Sequence, residues 1–260
     1  MYSQAFPLNH RAVTVWQAQV VPARTAVRVQ RQHVLAVDRM DEKKAKLGEL
    51  SKKVQSCQKC DLAKTRTNTV FGSGSASAKL VFVGEAPGYH EDQQGVPFVG
   101  KAGNLLDQLL KRIALTRKDV FIANVLKCRP PDNRDPLLEE INQCRSYLEQ
   151  QISIIGPLAV ITLGNFATKL LTGKQDGISR VHGIKQECPI YEKAFIYPVY
   201  HPAAALYTPG NMRALEQDFD RLSNLLSKKP QPQVDPSPTK DDSPVETSQG
   251  QADTEQLGLF

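Results

Sequence analysis

The chain has 260 residues, 40% of them hydrophobic and 23% charged, with a formal net charge of +6. That is enough apolar material for one domain of ordinary size with a full core. No apolar run is long enough to cross a membrane as a helix, which excludes that class of protein. A moderately basic body suits a nucleic-acid partner, although many ordinary enzymes have the same balance.

Residues 1–39 hold five arginines and a single aspartate. This composition fits an organellar transit peptide, or an irregular extension from a misassigned start with the protein proper opening at Met40. The second reading is preferred, because patterned sequence begins directly after Met40. Leu47, Leu50 and Val54 recur at helical spacing, so residues 41–56 read as an amphipathic helix. That helix leads into Cys57 and Cys60, a C-x₂-C pair. Cys128 and Cys144 form a second, distant pair with fifteen residues between them. Four thiolates so placed can close one metal site and staple residues 57–144 into a unit. Structural zinc and a [4Fe–4S] cluster both accept four cysteines, and spacing alone puts zinc somewhat ahead. Cys188 has no partner in this scheme. Thiols of this kind suit a reducing, cytoplasmic setting.

Strand and helix signals then alternate. Lys79–Gly84, Val120–Val125, Leu158–Leu163 and Phe195–Tyr200 read as strands, with Pro198 marking an edge or a strand end. Helices are expected over Ala102–Leu115, Leu137–Ile155, around Phe166–Leu171, and over 211–227. This alternation predicts an α/β domain over residues 40–227, with a parallel sheet and helices on both faces. Ligands in such folds bind beyond the carboxyl ends of the strands. From Lys228 the sequence is dominated by Pro, Ser, Gln, Asp and Thr, and residues 228–260 read as a disordered acidic tail. The tail turns apolar again at Gln256-Leu-Gly-Leu-Phe260.

Distinctive motifs sit at the strand ends. Gly84-Glu-Ala-Pro-Gly88 follows the first strand and leads to Glu91 and to Gly95-Val-Pro-Phe-Val-Gly100-Lys-Ala-Gly103. Asn124 closes the second strand, followed by Cys128-Arg-Pro-Pro131 and Asn133-Arg-Asp-Pro136. Tyr200-His-Pro-Ala-Ala-Ala-Leu206 follows the fourth strand. In this order, and with Cys57, Cys60, Cys128 and Cys144, these motifs resemble the iron–sulfur, family-4 uracil-DNA glycosylases of bacteria and their relatives, over about residues 45–225. The resemblance implies a three-layer αβα sandwich around a central four-stranded parallel sheet, and it moves the metal from zinc to a [4Fe–4S] cluster. It implies monofunctional excision of uracil from single- or double-stranded DNA by a monomer working at the nucleoid.

The same resemblance assigns roles. Phe98 stacks on the flipped uracil. Asn124 presents an acceptor to N3–H and a donor to O4, a pattern that rejects cytosine. His201 donates to O2, where charge builds as the glycosidic bond breaks. Gly84 and Ala86 complete the uracil pocket, and Ala86 stands where the best-known uracil glycosylases carry a water-activating Asp. Glu85 orders the pocket or the water, and Glu91 lies beside C5, where it excludes a thymine methyl. Leu206 or Ala205 is the wedge that fills the vacated stack. Arg129, Arg134 and Arg145 are candidate phosphate contacts. Gln256, Leu257, Leu259 and Phe260 resemble the short peptide by which bacterial repair proteins dock on the DNA sliding clamp. Two rivals remain at this point: a non-catalytic iron–sulfur DNA-binding or polymerase-accessory protein, and a relative that captures uracil-DNA covalently. The covalent type carries Gln where Ala86 stands here.

Overall fold

The structure is a computed structural model that describes the backbone of residues 23–227, and side chains from Asp38 onward. The first 22 residues and the tail from Lys228, including the clamp-like peptide, lie outside the described residues. The expected helix at 41–56 belongs to a longer α1, Ala23–Gln55, so the C-terminal part of the N-terminal extension is helical rather than irregular. In chain order there follow α2 (Leu62–Thr65), β1 (Ser73–Gly74), β2 (Leu80–Gly84), α3 (Tyr89–Gln94), α4 (Lys101–Arg112) and β3 (Phe121–Asn124). Then come α5 (Leu138–Ile155), β4 (Ala159–Leu163), α6 (Gly164–Thr172), α7 (Ile178–Val181), β5 (Gln186–Glu187), β6 (Phe195–Val199), α8 (Pro202–Ala205) and α9 (Pro209–Ser227).

The fold is α/β around a mixed six-stranded sheet of order β1-β3-β2-β4-β6-β5. The four strands expected from the sequence pair parallel with one another. Two further strands of two residues each, β1 and β5, pair antiparallel at the two edges. The sheet is therefore neither four-stranded nor purely parallel. These edge strands carry no apolar alternation, which is why the sequence pattern does not show them. Pro198 lies opposite Thr162 near the end of β6, beyond the residues that β5 pairs, where a missing N–H leaves no ladder position unfilled.

Side chains alternate between the two faces, as strand geometry requires. On one face Val81, Val83, Ala123 and Val160 pack with Leu47 of α1, Leu62 of α2, Leu148 and Ile152 of α5, and Leu171 of α6. On the other, Leu80, Phe82, Ile122 and Ile161 pack with Leu106 and Leu110 of α4, Ala205 of α8, and Leu215 and Phe219 of α9. Phe82 and Phe219 stack with centroids 6.0 Å apart. Burial of each such side chain contributes roughly 1.5–3 kcal/mol. The cores fix the strands, and the parallel register then sets Gly84 directly beside Asn124 at the carboxyl ends of β2 and β3.

Candidate active site

A cleft of about 380 Å³ opens at those carboxyl ends. Glu85, Ala86, Glu91, Phe98, Asn124, Arg134 and His201 all line it, so one rim gathers most of the residues singled out in the sequence. Gly84 is not among the lining residues but lies against two of them. A Cβ there would stand 2.4 Å from Asn124 Oδ1 and 2.7 Å from Phe98 Cζ, so only glycine lets these two side chains converge.

Asn124 is 2% exposed, and its Oδ1 is the one buried side-chain polar atom among the described residues without a hydrogen-bond partner. Leaving such an atom unpaired costs about 1–3 kcal/mol, a cost that a ligand donor at that point would remove. The Asn124 carbonyl, in contrast, accepts from Lys127 Nζ at 2.8 Å.

Phe98 is buried and has a left-handed backbone, φ 55, unusual for a bulky residue. Its loop is held from two sides. Glu91 Oε1 accepts from the backbone N–H of Val99 at 2.9 Å and of Gly100 at 3.1 Å, at the entrance to α4. From behind, the Arg117 guanidinium donates to the carbonyls of Pro97, at 2.9 Å, and Phe98. Asp107 orients Arg117 through a 2.6 Å contact to Nε.

His201 precedes α8, and its Nδ1 accepts from the backbone N–H of Ala203 at 3.1 Å. That bond leaves Nε2 as the protonated nitrogen of the neutral ring. Burial holds the imidazole down at about 4, so it is neutral near pH 7. Its ring lies 5.9 Å from that of Phe98. Glu85 is half-buried, and burial followed by the charge of Asp135 raises its carboxyl above the ordinary value.

Ala205 is 2% exposed and sits in the core, so it is not a wedge; Leu206, 37% exposed, remains available, with the fully displayed Tyr207 beside it. Arg129 donates to Asn133 Oδ1 at 2.7 Å and lies over the exposed Tyr89 ring. Arg134 forks onto Glu140 at 2.6 and 3.0 Å and also donates to the Asp135 carbonyl at 2.9 Å. Arg145 pairs with Glu149 on α5 and is not among the cleft-lining residues.

Behind the cleft, Cys57, Cys60, Cys128 and Cys144 line one small cavity together with Arg66, Lys127 and Tyr147. No three His, Cys, Asp or Glu side chains among the described residues stand as a single metal ion would hold them. Arg66 Nη1 donates to Cys128 Sγ and the Lys127 backbone N–H to Cys144 Sγ, each at 3.3 Å. N–H donors to thiolate sulfur stabilise the negative charge that an iron–sulfur centre carries. Burial, chiefly, pushes the Cys144 thiol up to about 11, against the charge and backbone N–H of Lys127, which lower it. Cys188 is buried elsewhere as a free thiol.

Sequence reading did not single out Arg117, Asp107, Lys127 or Gln151. Only Lys127 left a local trace, as a lone lysine in the apolar run Val125-Leu-Lys-Cys128.

A family profile described as the uracil DNA glycosylase superfamily matches residues 71–224. A type-4 uracil-DNA glycosylase of Archaeoglobus fulgidus is 46% identical over 188 residues, covering 70% of this chain and 94% of that protein. One from Saccharolobus solfataricus is 47% identical over 187 residues, covering 70% and 87%. A bacterial one, from Thermotoga maritima, is 39% identical over 182 residues, covering 69% and 94%. With the cleft, the cysteine cavity and these similarities in agreement, the chain belongs to the type-4 uracil-DNA glycosylases.

Proposed function

We propose that this chain rotates uracil out of DNA into the Gly84–Asn124 cleft and hydrolyses its N-glycosidic bond, leaving free uracil and an abasic site. The observation that carries this reading is the unpaired, buried Oδ1 of Asn124 facing Phe98 across Gly84. Uracil N3–H is a donor of the required kind, whereas cytosine N3 is an acceptor and would meet the same oxygen with repulsion. Phe98, locked by Arg117 and Glu91, supplies the stacking face. As the C1′–N1 bond breaks, its electron pair leaves with the base and charge collects on O2. His201 Nε2–H is the donor for that oxygen, and because the ring is neutral it stabilises the charge without giving up its proton. Water oxygen joins C1′. Glu91 is engaged by two backbone amides, so Glu85 is the carboxylate left to order that water and accept its proton. The pinned Glu91 serves as a wall of the pocket beside C5. The decisive experiment is excision from a uracil-containing oligonucleotide by the wild type and by His201→Ala. Free uracil with an alkali-labile site supports this reading. A denaturation-resistant adduct, or retardation without excision, favours one of its rivals.

The cysteine cavity fits a [4Fe–4S] cluster on Cys57, Cys60, Cys128 and Cys144. Four cysteine sulfurs line one shared space, the donor set that a [4Fe–4S] cluster takes. When bound, such a cluster supplies a cross-link and fixed negative charge. The C-terminal Gln256, Leu257, Leu259 and Phe260 are proposed, on sequence alone, as a docking peptide for the sliding clamp.

A further inference from the structure

One lysine lines the cysteine cavity and reaches a cleft residue without lining the cleft itself. Lys127 is 1% exposed, and its Nζ donates to Gln151 Oε1 at 2.6 Å and to the Asn124 carbonyl at 2.8 Å. Gln151 is itself fixed through Nε2, which donates to the Phe71 carbonyl at 2.8 Å. The Lys127 backbone N–H donates to Cys144 Sγ, and Cys128 is the next residue. Burying an ammonium is expensive unless charge compensates it. Both of its acceptors are neutral, and no carboxylate pairs with it among the described residues. Its hold is therefore geometric: two side-chain hydrogen bonds from Nζ and one from its backbone N–H to Cys144 Sγ.

We infer that Lys127 is a positioning residue that ties the thiolate-bound group to the uracil-reading side chain, its backbone held by Cys144 and its ammonium holding the Asn124 backbone. This rests on the [4Fe–4S] reading above and on Asn124 as the base reader. The tie acts at the strand end that aims the Asn124 carboxamide, since Val125 and Leu126 are also pinned, by the carbonyls of Gly84 and Glu85 at 3.0 Å each. The cysteine site's contribution to repair is then geometric: through the backbone and side chain of Lys127 it keeps the base reader in place.

The test compares wild type with Lys127→Met, which keeps the length and removes the charge and the donors. Iron content and visible absorption are measured first. Binding of free uracil and of an abasic-site oligonucleotide follows, together with single-turnover excision of uracil and of cytosine. The variant should keep its iron. It should bind free uracil about tenfold more weakly, equivalent to about 1.4 kcal/mol, and lose part of its uracil-over-cytosine preference. Affinity for abasic DNA, which offers Asn124 no base, should be unchanged. A general loss of folding would lower both affinities together and would count against a positioning role. If Lys127→Met cannot hold iron, Gln151→Glu carries the test, since it draws the ammonium from the Asn124 carbonyl without touching the cysteines; the same selective loss is expected. Iron-loaded variants with wild-type uracil affinity and base preference overturn the inference alone. An iron-free wild type overturns the cluster reading with it.

Discussion

The Arg117 guanidinium donates to the backbone carbonyl of Phe98, the one aromatic residue of the cleft held in a left-handed conformation. A non-glycine residue kept there costs of order 1–3 kcal/mol, so something must hold it. Arg117 and Glu91 do so from opposite sides, and Gly103 makes room, since a Cβ on it would stand 1.8 Å from the Phe98 oxygen.

Arg117→Ala should therefore let the Phe98 loop relax. Global stability should fall by about 1–3 kcal/mol, the range for losing charge-assisted bonds to buried carbonyls. Uracil affinity should fall as well. Arg117→Lys keeps the charge but not the planar fork, so it should recover only part of both. Denaturant titration and free-uracil binding read the two effects. A variant with intact uracil affinity would show that Phe98 needs no brace.

His201→Ala should lower single-turnover excision far more than DNA affinity, because its bond to O2 strengthens only as charge develops. Loss of one such donor costs about 2.7–4 kcal/mol in the barrier, on the order of a hundredfold or more in rate. Asn124→Asp should weaken uracil recognition and raise relative activity on cytosine. Wild-type rates in His201→Ala would remove His201 from the mechanism.

Acid should act on His201 in a defined window. Burial sets the folded imidazole at about 4, below the ordinary 6.5. As the pH falls, the unfolded chain takes up the proton first, so folded stability declines. That contribution is complete above 6.5 and is lost as the pH falls through about 4. Excision should show no break at 6.5, and its acid limb should belong to Glu85, above the ordinary 4.5. Glu85→Gln should slow the reaction and flatten that limb. A break at the free-imidazole value that persists in Glu85→Gln would contradict the buried, neutral ring.

The four long strands and the main helices were legible because apolar spacing marks buried faces. Gly84, Asn124 and His201 were legible because each closes or follows such a strand inside a distinctive motif. The edge strands Ser73–Gly74 and Gln186–Glu187 were not, since two residues carry no period. Arg117 and Gln151 were hidden for a different reason. Their partners, Phe98 and Lys127, lie far along the chain, and only tertiary packing brings them together. Ala205 was misread because small apolar residues suit a core and an exposed loop equally well.

On the proposed cluster reading, removing one of the four cysteines should unstitch the domain. Purified protein should be brown with broad visible absorption, and Cys128→Ser or Cys144→Ser should bleach it and lower its stability, because metal binding energy is folding energy. Arg66→Ala, which removes a donor to Cys128 Sγ, should speed iron loss without abolishing assembly. A colourless, zinc-containing and fully active preparation would overturn the cluster assignment.

The C-terminal peptide makes a prediction independent of the cleft. In the sequence after α9, Leu257, Leu259 and Phe260 are the only concentrated apolar group, the kind of segment that a short docking peptide uses. Gln256 would add a polar anchor at the mouth of a pocket. The roughly 28 intervening residues, rich in Pro, Ser and Gln, have the composition of a coil with an r.m.s. reach of about 30 Å. Tethering at that distance raises the local concentration of the catalytic domain on DNA without any new contact to the cleft. Deleting residues 256–260 should abolish micromolar clamp binding in calorimetry and remove clamp-dependent stimulation. Intrinsic excision from a short oligonucleotide should not change, since the cleft lies wholly within β2 to α8. Equal clamp binding by the full-length and truncated proteins, or none by either, would show that the resemblance of this peptide to a clamp ligand is accidental.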